Sequence, residues 1–255
     1  CGSVIKGEDG RFHMFASCWE RELGFGANWL FHSRVVRAAS DTPEGPFRLE
    51  ETVLPRRGRE YFDGMNTHNP YIRFWNGKYY LYYIGTTYGG PIPTHASQIS
   101  DQRFIEVWNK KRIGLAVSDS VFGPWQRRDT PLLEPRDCSH WDCTITSNPA
   151  VAILPDGTTY LLYKSRSYAN ATLQIGAAMA PRPEGPFQRI SDQPIFSFSN
   201  PDFHLEDPYL WYEDEKFRLL IKDDFKNSSG GICGEWGAGL YGAVSYTHLT
   251  LPTNS

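Results

Sequence analysis

One pattern recurs along this chain and limits what it can fold into. It is an Asn-Pro or Asp-Pro pair, a short apolar run, a tight turn, and a second apolar run. The fullest copy is His68-Asn-Pro-Tyr-Ile-Arg-Phe-Trp-Asn-Gly-Lys-Tyr-Tyr-Leu-Tyr-Tyr-Ile-Gly85. Asn76-Gly77 predicts a type I′ hairpin turn, because both central residues of that turn need φ > 0. The aromatic run that follows favours a pleated strand. The unit returns from Ser147 to Tyr163 with Asp156-Gly157 as its turn, and again from Glu206 to Ile221. A weaker copy, Gly2 to Ser17 around Asp9-Gly10, starts the chain.

A second element follows each hairpin. It reads Val36-Arg-Ala-Ala-Ser-Asp-Thr-Pro-Glu-Gly-Pro-Phe47, then Ile113 to Gly123-Pro-Trp125, then Ile175 to Gly185-Pro-Phe187. A fourth copy begins at Gly239-Leu-Tyr-Gly-Ala-Val-Ser245. Each is a short strand, a polar turn, and a Gly-Pro-aromatic step into another strand. Four antiparallel strands, repeated every ~60–80 residues, predict an all-β chain and a β-propeller. A sandwich does not explain why the two signals recur in the same order. About four blades are visible, the first short of its inner-strand start, so a closed ring asks for a fifth. No segment holds a 3.6-residue apolar period for more than about two turns.

The chain has 255 residues, 40% of them apolar, enough for the core of one domain. A net charge of −3 argues against nucleic acid or an acidic membrane as partner. No apolar run is long enough for a transmembrane helix. The five cysteines show no metal-ligand spacing and read as buried or incidental. The stretch Tyr246–Ser255 resembles the translated adapter sequence that ends open reading frames from metagenomic assemblies. The propeller is therefore expected over 1–245, with 246–255 as a non-native tail. Both ends read as cut. Long connections at 85–112 and 227–239 interrupt the repeats, and long loops of this kind often carry function.

Candidate chemistry lies just before the inner strands. Asp63-Gly-Met-Asn-Thr-His-Asn-Pro70 and Asp142-Cys-Thr-Ile-Thr-Ser-Asn-Pro149 share Asp, Thr and Asn-Pro at the same offsets, with Phe62 and Trp141 ahead of each Asp. The third copy reads Asp202-Phe-His-Leu-Glu-Asp-Pro208. Superposed, the repeats would gather Asp63, Asp142, Glu206 and Asp207, with His68, Asn69, Trp141, Asn148 and His204 as sugar-binding neighbours. Such a set suits glycoside hydrolysis, which needs one protonated and one ionised carboxyl group. Crowded carboxylates push one pKa up. Asp63 and Asp142 also fit turn capping. Asn170-Ala-Thr172 and Asn227-Ser-Ser229 match the glycosylation acceptor pattern, which is common by chance.

With its [Asp/Asn]-Pro hairpins and Gly-Pro-aromatic strands, the chain resembles the five-bladed β-propeller glycosidases, above all glycoside hydrolase family 43. The resemblance covers roughly 1–245. It implies a general-base Asp opening blade one, a pKa-tuning Asp opening blade three, and a general-acid Glu two residues before a Pro opening blade four. Glu206 matches that Glu. Asn148 stands where the blade-three Asp is expected, and Gly2-Ser3 where the base is expected. The base then lies upstream or is Asp63, Asp142 or Asp207. The resemblance requires no cofactor, although many members hold a structural Ca²⁺, and no ligand constellation for one is visible. The implied partner is an oligosaccharide or polysaccharide, as substrate of a hydrolase on complex or plant-type glycans. The alternative is a carbohydrate-binding propeller without catalysis. Oligomeric state and compartment stay open; a periplasmic or secreted setting would suit such an activity.

Overall fold

A computed structural model of the protein describes residues 2–21, 26–169, 171–197, 204–224 and 238–245. The chain divides into two compact units, Cys1–Leu133 and Glu134–Ser255.

The first unit holds two four-stranded antiparallel sheets. One is β1 (Gly2–Lys6), β2 (Phe12–Cys18), β3 (Arg34–Ser40) and β4 (Arg48–Leu54). The other is β5 (Asn66–Trp75), β6 (Lys78–Thr86), β7 (Arg112–Ser118) and β8 (Gln126–Arg127). The second unit holds β9 (Ser147–Ile153), β10 (Thr159–Ser165), β11 (Gln174–Ala180) and β12 (Gln188–Arg189), then β13 (Leu205–Glu213), β14 (Lys216–Asp224) and β15 (Ala238–Ser245). In each sheet the strands pair in chain order. This meander is the blade of a β-propeller, as the repeats predicted.

The turns follow from residue type. Asn76 and Gly77 both take positive φ, 48° and 78°, the expected type I′ geometry. Asp214 and Glu215 reach the same region at 51° and 60° without a glycine. The Asp156-Gly157 turn closes differently: only Gly157 is left-handed, and Leu154 and Thr158 bracket it through the Leu154 N–H to Thr158 O bond. Gly45, Gly123 and Gly185 sit near φ 90° ahead of cis prolines, a conformation open to glycine.

The Asn-Pro or Asp-Pro pair in the first strand of each of the three hairpins β5–β6, β9–β10 and β13–β14 forms the same β-bulge. Asn69, Asn148 and Asp207 have φ of 47°, 50° and 51°. The register shifts there in all three hairpins, so that two residues oppose one: 69–70 face Tyr83, 148–149 face Tyr163, and 207–208 face Ile221. Asn and Asp tolerate the left-handed region better than other side chains, and Pro asks for no ladder donor at an irregular point.

The first unit's core joins Phe15, Val35, Ile72, Leu81, Tyr83 and Val121. The connection 85–112, read from sequence as an irregular loop, contains a helix, α2 (Asp101–Asn109). Ser100 caps it by accepting from Arg103 N. Phe104, Val107 and Trp108 form one apolar stripe. That stripe joins a cluster with Leu30, Phe31, Met65 and Tyr88. Leu30 and Phe31 lie in a second short helix, α1 (Asn28–His32). The stripe is too short to declare itself by periodicity. In the second unit, Leu161, Tyr163, Ile175, Leu210 and Ile221 are fully or almost fully buried.

Candidate active site

Asp63 and Asp142, expected in the sugar site, occupy matching buried cages instead. Both are fully buried. Arg57 binds Asp63 Oδ1 through Nε at 2.7 Å and Nη2 at 2.6 Å. Tyr83 donates its hydroxyl to Oδ2 at 2.7 Å, and Arg127 lies 3.6 Å from the same oxygen. Around Asp142, Arg136 Nε reaches Oδ1 at 2.6 Å, while Arg189 Nε and the Tyr163 hydroxyl reach Oδ2 at 2.6 and 2.8 Å. The parts repeat blade for blade. An arginine stands six residues before the aspartate, a tyrosine faces the bulge, and a second arginine lies in the short fourth strand.

Electrostatics of the cage fix its charge state. Burial alone pushes the Asp142 carboxyl up, but hydrogen bonds from Arg136, Tyr163 and Arg189 outweigh it and hold the group below its ordinary value. Burial and the neighbouring carboxylates push the Tyr83 and Tyr163 phenols well up, so both remain donors. Each aspartate is thus enclosed, within its own blade, by a closed ion-pair network. Both oxygens of each carboxylate already have strong donors, so neither is open to a sugar or a water.

Trp141 belongs to the same structure. Its ring stacks on Tyr163 with centroids 6.0 Å apart and planes 14° from parallel. Gly176 admits both rings: a Cβ there would lie 2.5 Å from Tyr163 Cζ and 2.8 Å from Trp141 Cζ2. Gly114 plays the same part for Tyr83 and Phe62, at 2.6 and 2.9 Å. Trp141 therefore packs the cage, rather than offering the sugar platform read from sequence.

Glu206 lies elsewhere in the second unit, on β13, just before the bulge. Lys222 stands opposite it on β14 and its Nζ lies 2.6 Å from Oε1. Lys164 on β10 brings Nζ to 2.8 Å from Oε2. The two lysines hold equivalent positions in their own hairpins: Ser147 pairs with Lys164 as Glu206 pairs with Lys222. Lys164 attracts the carboxylate most strongly, Lys222 adds to it, and together they overcome burial and hold Glu206 far below the usual carboxylate range.

Beside this pair, Asn148 Nδ2 donates to Asp207 Oδ1. A carboxylate only accepts, so the amide orientation follows, and Asn148 Oδ1 is left buried with no donor among the described residues. Asp207 itself is half-buried. His204 Nδ1 accepts from Leu173 N at 3.0 Å, and Leu205 N donates to Leu173 O at 3.0 Å. This fastens the β10–β11 connection to the head of β13. Lys164 and Lys222 were missed from sequence, although each directly follows a three-residue apolar run, Leu161-Leu-Tyr163 and Leu219-Leu-Ile221.

In the first unit, His68 is buried with Nδ1 2.8 Å from Asn66 Oδ1 and its ring edge-to-face with Trp29 at 5.4 Å. Asn69 N donates to Ser17 Oγ at 2.9 Å. Lys111 Nζ lies 3.7 Å from the Trp108 ring centre. Among the described residues, no group of three or more His, Cys, Asp or Glu side chains is placed to hold a metal ion. Asp202, Asn170 and 225–237 lie outside the described residues.

No protein-family model and no curated protein matches the sequence. Solved structures do. A thermostable family-43 glycoside hydrolase superposes with a TM-score of 0.64 at 18% identity, over 100% of this chain and 75% of that one. A second glycoside hydrolase gives 0.69 at 15%, over 96% and 70%. An exo-1,5-alpha-L-arabinanase from a bovine ruminal metagenomic library gives 0.61 at 15%, over 97% and 71%. The chain shares the fold of these glycoside hydrolases.

Proposed function

We propose that the chain is an O-glycoside hydrolase acting on a complex or plant-type glycan, with Glu206 as its reacting carboxylate. The observation that carries this reading is Glu206 at the start of β13, partly open to solvent and set between Lys164 and Lys222, beside the Asn148–Asp207 pair. The superposed arabinanase and family-43 hydrolase supply the class of reaction.

Hydrolysis of a glycosidic bond uses one carboxyl group to protonate the leaving oxygen and another, ionised, to activate water or attack carbon. Glu206 takes the acid role by its resemblance. Of the three aspartates considered as base, Asp63 and Asp142 are enclosed by arginines, and Asp207 is the one that is not. Asn148 orients Asp207 through its amide. In the resting protein Glu206 is ionised, so its ion pairs must loosen before it carries a proton to the substrate.

A second reading is a carbohydrate-binding propeller without catalysis. It is favoured by the same ion pairs, which hold Glu206 in the wrong state for an acid. A panel of arabinan, xylan and pectic oligosaccharides separates the two. The hydrolase reading expects released sugar from at least one glycan, and a loss of roughly a hundred- to ten-thousand-fold in Glu206→Gln with folding retained. Binding with no release, or full activity in Glu206→Gln, would end it.

A further inference from the structure

Two ammonium groups meet one carboxylate at Glu206, and they differ in access. The Lys164 side chain is 6% exposed, Glu206 20% and Lys222 31%. Lys222 is therefore the solvent side of the ion pair. An anion arriving there meets an ammonium whose present partner keeps a second cation. After exchange, the anion pairs with Lys222 and Glu206 stays with Lys164, so no charge is left bare. A neutral hydroxyl has no such exchange to offer, because it competes against charge-assisted bonds about twice as strong as its own.

We propose that Lys222 receives a carboxylate of the glycan, so that the site takes an anionic, uronate-bearing saccharide, and that this exchange lets Glu206 take a proton from solvent. The proposal rests on the hydrolase reading for its chemistry, though not for its binding. Proton uptake follows from the geometry: with one ammonium drawn away, less positive charge opposes protonation of Glu206. The proton that Glu206 gains is the one it later gives to the leaving oxygen. Among the described residues, other charged or titratable groups also stand near the head of β13. Asp207 is tied to Asn148, His204 Nδ1 accepts a backbone N–H, Arg166 follows the end of β10, and Asp223 stands opposite Leu205 in the register. Strand β9 contributes only Ser147 and Asn148 there, which do not titrate.

Calorimetric titration of the full chain tests it with matched probes. These are trigalacturonate against its methyl ester, and glucuronosyl-xylotriose against its carboxyl-reduced form. The carboxylate member of at least one pair should bind about tenfold tighter at low salt. The preference should shrink as salt rises. The heat should vary with buffer in the sense of proton uptake. Lys222→Met should lose the preference and Lys222→Arg should keep it. Equal affinity within both pairs, no binding by any probe, or a preference that survives Lys222→Met would overturn the proposal. Glu206-dependent hydrolysis of neutral glycans, with equal binding of both pairs, would sink the anion site and leave the hydrolase standing. A carboxylate preference with no hydrolysis of any glycan would do the reverse.

Discussion

Asp142 and Glu206 lie in the same unit, and each carboxylate is held by two cations, yet the two sites are built for opposite ends. Asp142 is fully buried and is gripped by two guanidinium groups and a phenol. Glu206 keeps 20% of its side chain exposed and is held by two ammonium groups. A guanidinium is a planar fork that fixes its partner in place. An ammonium is a point charge on a flexible stem and lets go more readily. Arg136 is further tied to Asp192, and Arg189 to the backbone of Glu134, so the cage is anchored on every side. The difference separates a carboxylate that holds the blade together from one that the proposed function gives to chemistry. Asp63 repeats the first kind in the other unit.

The sharpest way to break this contrast is to remove a caged carboxylate. Asp142→Asn leaves two partly buried guanidinium groups short of a counter-charge and should cost about 3 kcal/mol in denaturant unfolding. Asp63→Asn should behave alike. The cage also predicts a pH dependence. The Asp142 carboxyl is depressed on folding. Its contribution is therefore complete above the unfolded carboxylate value, about 4, and is lost as pH falls through the folded one. Melting temperature should drop on acidification below about pH 4, and the drop should be shallower in Asp142→Asn. A steeper drop in the variant would contradict the cage.

Smaller effects test its packing. Gly176→Ala drives a methyl group into the stacked Tyr163 and Trp141 rings and should cost about 1–3 kcal/mol. Gly114→Ala should match it at Tyr83 and Phe62. A neutral result at either position would mean that the rings move aside freely. Tyr163→Phe removes one of three donors to Asp142 and should cost about 1 kcal/mol. None of these three substitutions touches Glu206.

The blades were legible because their signals are local. Asn76-Gly77 and the Asn-Pro and Asp-Pro pairs each dictate their own backbone conformation, so hairpins and bulges follow from neighbouring residues alone. The site was legible only in part. Glu206 and Asp207 stand out by position before Pro208. The cages do not, because Arg57 and Arg127 are 70 positions apart and meet only once the sheet has formed. A signal did exist: an arginine six residues before each aspartate, and Gln-Arg after both Gly123-Pro-Trp125 and Gly185-Pro-Phe187. Taken as a set, they mark Asp63 and Asp142 as ion-paired. Lys164 and Lys222 escaped notice for a related reason, since a lysine near a strand end usually means solvent. Helix α2 rests on three apolar residues and one serine cap, too little for periodicity to reveal.

The division of labour between the two carboxylates is the central claim, and one paired measurement tests it most directly. Turnover on the best glycan substrate and melting temperature are measured for Glu206→Gln and Asp142→Asn side by side. Glu206→Gln should melt near the parent and lose nearly all turnover, while Asp142→Asn should melt far lower and, below its transition, keep most of its turnover. A stable, inactive Asp142→Asn beside an active Glu206→Gln would contradict that division.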